Sequence, residues 1–129
     1  MYNLLVTSGP GDWNEPSYKF DKSRFLEYTT ESIAEVFKSL TPTLIKTLKQ
    51  YPCVFAYERG RGDLRIGQLT SIKEMGRKLL IEFELDENIP PIPYDSIKAI
   101  SSLLDIREWE MKRTHWAVKD KNLFKCLIE

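Results

Sequence analysis

Trp109, Met111, Arg113, His115 and Trp116 crowd into eight positions near the end of the chain and make its densest cluster of residues able to do chemistry. If the stretch is extended, Trp109, Met111, Arg113 and His115 share one face, while Lys112, Thr114 and Trp116 take the other. Exposed Trp, Met and Arg supply large contact area, so this face reads as a partner-binding surface. The competing reading is structural: Trp116, Ala117 and Val118 close a core, and His115 hydrogen-bonds a carboxylate such as Glu82 or Glu84. A third makes His115 a general base, with Arg113 or Lys112 stabilising a phosphate in metal-free RNA cleavage. Spacing supplies no second titratable partner, so His115 would stand alone as the catalytic candidate.

A second set of candidates lies in the middle of the chain. Residues 59–78 hold Arg59, Arg61, Arg65, Lys73, Arg77 and Lys78 against Asp63 and Glu74, whereas residues 79–95 hold Glu82, Glu84, Asp86, Glu87 and Asp95 with no base. Arginine forks suit phosphate and an aromatic ring beside them stacks a base, so Tyr57, Arg59, Arg61, Arg65, Arg77 and Lys78 form a candidate nucleic-acid-binding set. Equally, the two stretches lie on neighbouring strands and pair with one another. The string Arg61-Gly62-Asp63 spells an adhesion tripeptide, but its residue types are those of a tight turn.

Several chemistries are excluded. His115 is the only histidine, so a His-rich zinc site is not available, and no EF-hand loop or Asp-rich cluster suggests another metal. Serine nucleophile elbows, P-loops and dinucleotide fingerprints are absent, and no cofactor is implied. Cys53 and Cys126 lie far apart with no CxxC pairing, which reads as two buried thiols. With no signal-peptide pattern at Met1–Pro10 and no run of 18 apolar residues, the expectation is a cytoplasmic protein that does not cross a membrane. Lys plus Arg and Asp plus Glu both number 19, so any polyanion site is a local patch.

The elements that must position these groups follow from periodicity. Met1–Thr7 suits a short strand; Ser8–Ser23, broken by Gly9-Pro10-Gly11 and Pro16, reads as a loop anchored by Trp13, Tyr18 and Phe20. Thr30 begins a helix with Ile33, Val36, Phe37 and Leu40 on one stripe. Thr41 caps a second helix, with Pro42 at its first position and Leu44, Ile45 and Leu48 inward, ended by Tyr51-Pro52. The period then changes to two: strands at 53–58, 64–73 and 78–85 form an antiparallel meander. Ile89-Pro90-Pro91-Ile92-Pro93 spaces core elements, Asp95 or Ser96 caps a helix, residues 114–118 form a strand, and Asp120 caps a final helix with Leu123, Phe124 and Leu127 inward. The whole, 129 residues with 42% apolar content, is expected to be one α+β domain. Residues 1–52 would supply a strand, loop and helical hairpin, and residues 53–129 a small antiparallel SH3-like barrel followed by the short C-terminal helix.

The stretches FAYERGRGDLRIGQLTSI, IEFELDENIPPIP and LDIREWEMKRTHWAVKD, within residues 55–120, resemble an uncharacterised bacterial module found near mobile-element or phage-defence genes. The resemblance implies a bacterial source and a conflict-related setting, and no catalytic residue. The leading expectation is a non-enzymatic protein-binding or adaptor module acting through Trp109, Met111, Arg113 and His115. The alternatives are nucleic-acid binding by the basic hairpin and, third, a metal-independent ribonuclease using His115. Whether the chain self-associates stays open.

Overall fold

A computed structural model describes residues 1–128; Glu129, the last residue of the expected domain, lies outside them. The fold is α+β. Six strands, β1 (Tyr2–Thr7), β2 (Ser17–Asp21), β3 (Pro52–Tyr57), β4 (Arg65–Met75), β5 (Lys78–Leu85) and β6 (His115–Lys119), form one mixed sheet in the order β2-β5-β4-β3-β1-β6. Only β1 and β3 run parallel. Parallel neighbours need a crossover. Here it carries β2 and the helices α1 (Glu31–Phe37) and α2 (Pro42–Gln50). Two further helices follow β5: α3 (Tyr94–Ala99) and α4 (Leu123–Leu127).

The sheet is open, which corrects the expected closed barrel. Its terminal strands β2 and β6 do not pair with each other; a single parallel bridge joins Phe25 to Trp116. The reason lies in β1, all six of whose residues are buried. A barrel strand buries one face inside and shows the other, whereas a strand covered on both faces belongs to a layered sheet. Leu5, Trp13, Phe20, Phe55, Phe83 and Trp116 belong to one layer, against which the α1 and α2 residues Phe37 and Leu48 pack. Tyr2, Leu4, Val6, Ile66, Ile97 and Leu123 belong to the other, with α3 and α4. Segments 1–52 and 53–128 both contribute strands to this sheet.

Most elements follow the periodicity, including the meander, the Thr41 cap on the Leu44 N–H (3.3 Å) and the role of Ile89 and Ile92 as packing residues. The exceptions are instructive. Ser17–Asp21, expected as loop, is β2: Tyr18 and Phe20 point inward in contact (ring centroids 4.7 Å apart) while Lys19 and Asp21 are exposed. Five residues of alternation were masked by the Gly and Pro around them. Val36 and Phe124, expected inward, are exposed, because helices this short present only a narrow stripe to the sheet. Asn122, not Asp120, caps α4 by accepting from the Lys125 N–H (3.1 Å), and α3 begins at Tyr94, ahead of Asp95 and Ser96. Cys53 is buried, its thiol pushed up to about 12 by burial, but Cys126 is only half-buried. No helix among the described residues is long and apolar enough to cross a membrane.

Candidate functional site

The segment carrying the aromatic cluster is not extended. Glu108–Lys112 form a 3-10 helix, three residues per turn, and β6 begins only at His115. The expected common face therefore does not exist. Trp109 is 54% exposed, Met111 is buried in the core, Arg113 is half-exposed and paired with Glu27 (Nε to Oε2 3.0 Å), and His115 has no exposed surface. A backbone-to-side-chain hydrogen bond sets the turn: the Arg107 N–H donates to Glu110 Oε2 at 2.7 Å, the carboxylate reaching back over an otherwise unpaired donor at the start of the turn. Glu110, three residues after Arg107, is the signal in the sequence for this turn, and it was hidden among the surrounding aromatics.

Beneath Trp109 the structure assembles a charged cluster that sequence reasoning missed. Glu110 and His115 are fully buried and Lys119 nearly so. Glu110 Oε1 lies 2.8 Å from Lys119 Nζ and 3.7 Å from His115 Nε2. Lys119 Nζ also donates to the Tyr28 carbonyl at 2.8 Å. His115 Nδ1 sits 2.7 Å from the Arg113 carbonyl, which only accepts, so Nδ1 carries a hydrogen and Nε2 is aimed at Glu110. The carboxylate facing His115 is thus Glu110 rather than Glu82 or Glu84, and at 3.7 Å it makes no hydrogen bond, so Nε2 is buried without a hydrogen-bond partner among the described residues. Burial pushes the Glu110 carboxyl up, but His115, the Arg107 N–H and Lys119 together overcome this and hold it below the usual carboxylate value. With its ring enclosed, His115 presents no atom to a substrate in this conformation, contrary to the general-base candidate.

Above this floor lies a polar cleft of about 240 Å³ between two lips. One is Tyr28–Thr30, running along the outer edge of β6: the Leu26 N–H donates to the Trp116 carbonyl (2.7 Å), and Thr29 Oγ1 accepts from the Val118 N–H (3.0 Å). The other carries Asp105, Arg107 and Trp109. The Arg107 guanidinium carbon stands 5.7 Å from the Trp109 ring centre, a cation-π arrangement that fixes both side chains at the surface. Tyr28 turns its ring edge-on to His115, centroids 4.9 Å apart. Of the four non-glycine residues with positive φ among the described residues, Leu26 (71°), Tyr28 (55°) and Asp105 (58°) lie in or beside these lips. Such backbone costs roughly 1–3 kcal/mol per residue and persists where the surroundings over-determine it.

The basic hairpin does not make one patch. Arg59 and Arg61 occupy the turn after β3, Arg65 opens β4, and Arg77 and Lys78 lie beyond the far end of that eleven-residue strand, roughly 30 Å away. Arg65 pairs with Glu87 (3.6 Å) and Lys78 with Asp21 (3.7 Å). The Arg65–Glu87 contact is the only ion pair between residues 59–78 and 79–95 among the described residues, so the expected cross-pairing is sparse. Tyr57 packs its ring over Gly62 and accepts at its hydroxyl from the Trp13 N–H (3.4 Å). The turn glycines make room for two tyrosines: a Cβ on Gly62 would meet the Tyr57 ring at 2.7 Å, and one on Gly60, where φ is +66°, would meet Tyr94 at 2.3 Å.

Comparison with protein-family models, with curated proteins and with solved structures finds no match for this chain.

Proposed function

We propose that this chain is a non-enzymatic protein-binding or adaptor module whose contact surface centres on Trp109, Arg107 and Tyr28 around the polar cleft. The observation that carries it is the exposure of Trp109 under the Arg107 guanidinium, on a turn braced from below by Glu110 and Lys119. An exposed Trp–Arg pair on a rigid base is the anchor type that dominates interface energies, and bracing lowers the entropy lost on binding. Arg113, tied to Glu27, lies at the periphery of the surface; Met111 and His115 act from within by supporting it. The sequence resemblance adds a bacterial and conflict-related setting to this reading.

The test compares tagged wild type, Trp109→Ala and Met111→Ala in co-purification from the native host. A stoichiometric protein should be retained by wild type and lost with Trp109→Ala, whose unfolding free energy in urea stays within about 0.5 kcal/mol of wild type, as for an exposed position. Met111→Ala should instead lose about 2–5 kcal/mol of stability, as a buried truncation does. Retention of the partner by Trp109→Ala overturns the assignment. Nuclease-sensitive nucleic acid in the eluate, lost with Arg59→Glu plus Arg61→Glu and weakened steeply by salt, would favour the alternative at the turn, where neither arginine has an ion-pair partner among the described residues.

A further inference from the structure

Beside the polar cleft, with Arg107 as the shared wall, lies a second and apolar pocket of about 180 Å³. Its inner surface is made by Leu64, Ile97, Ile106 and Met111, all buried residues of one core layer, and by the ring of Tyr94. A dry cavity of about 150 Å³ lined by such side chains accepts benzene, so this pocket has room for one apolar side chain of leucine or phenylalanine size. The wall is preformed. Tyr94 lies on the bare backbone of Gly60, and Leu64 is fixed by paired backbone hydrogen bonds with Ile92, both 2.8 Å.

The mouth has a charge preference. Lys98, Arg107 and Glu108 line it, two cations against one carboxylate, and none of the three has an ion-pair partner among the described residues. Arg107 is held against Trp109, so its planar fork is already ordered for a carboxylate arriving at the pocket rim. Resting on the protein-binding reading above, we infer that the partner is recognised through an apolar side chain seated between Ile97, Ile106 and Met111, with an adjacent Asp or Glu on Arg107 and Lys98. The recognised chemistry is an apolar–acidic pair in an exposed segment of the partner.

The probe is a blocked peptide, acetyl-Gly-Leu-Glu-Gly-amide, added at millimolar concentration to the isotopically labelled full chain and followed by amide chemical shifts. Shifts should move at Leu64, Ile97, Ile106 and Met111. Replacing Glu by Lys, or Leu by Gly, in the peptide should abolish the change, and Arg107→Gln should weaken it about tenfold, as loss of a charge-assisted hydrogen bond does. Unmoved shifts with the Leu-Glu peptide, or equal response to the Leu-Lys peptide, overturn the inference. The two proposals fail separately: a partner lost with Trp109→Ala alongside unmoved pocket shifts leaves the protein-binding reading standing and removes only this specificity, whereas peptide binding in a chain whose partner survives Trp109→Ala keeps the pocket specificity and removes Trp109 from the contact surface.

Discussion

Two regions of this protein look alike as strings of letters and behave as opposites in the fold. The turn Glu58–Asp63 and the segment Arg107–Lys119 each interleave charges with aromatic or glycine residues. In the turn, Arg59 and Arg61 project into solvent and the glycines carry the structural load. In the segment, Glu110 and Lys119 are withdrawn into the interior, where they clasp each other and fix Tyr28 and Arg107 around them. A charge in sequence therefore marks a contact surface only where the backbone leaves it outside. The buried pair shapes the surface that Trp109 presents, while the exposed arginines leave the fold indifferent to them.

The largest effect expected from this contrast is on stability. Lys119→Met removes the ammonium and leaves the Glu110 carboxylate buried without its main counter-charge, which should cost about 3–5 kcal/mol in urea unfolding. Arg59→Gln plus Arg61→Gln should stay within about 0.5 kcal/mol of wild type. If the two variants unfold at similar midpoints, the distinction between the regions collapses.

Acid sharpens the same comparison. The Glu110 carboxyl sits below its ordinary value of 4.5 in the fold, so its contribution is complete above that pH and is lost as pH falls from there through the depressed folded value. Stability of the wild type should drop more steeply below pH 4.5 than that of Glu110→Gln, which has no proton to take up at this position. Parallel pH profiles for the two proteins would show that the cluster is not the acid-sensitive element.

The legible and illegible parts divide on physical lines. Strands β3 to β5 and helix α2 announce themselves because one period runs long enough to fix a face, as Leu79, Ile81 and Phe83 do. The order β2-β5-β4-β3-β1-β6 does not, since nothing local in Tyr2–Thr7 says that it will lie parallel to β3 and be buried on both faces. At the candidate site Trp109 is exposed and was legible as a candidate contact residue, but its neighbours were assigned by an extended period that the 3-10 turn breaks. Glu110, Lys119, Tyr28 and Asp105 come from four stretches of chain, and their partnership rests on tertiary contacts and on positive φ at two of them. Single-residue patterns carry no trace of either.

The smallest expected effects, and the finest test of the contrast, come from adjacent residues in the turn. Arg59 and Gly60 both have positive φ, 59° and 66°. At Gly60, alanine meets two obstacles, the left-handed backbone and the Tyr94 ring 2.3 Å from the new Cβ, and should lose about 1–3 kcal/mol while displacing the wall of the apolar pocket. At Arg59 the native side chain already pays the left-handed penalty of roughly 1–2 kcal/mol, so Arg59→Gly relieves it and returns part of the gain as unfolded-chain entropy, a net stabilisation of up to about 1 kcal/mol. Opposite signs at neighbouring positions, read from urea midpoints, would show that backbone conformation and the Tyr94 contact govern this turn. A loss at Arg59→Gly would mean instead that its guanidinium holds the fold through a contact, and the turn would then belong with the buried cluster rather than opposite it.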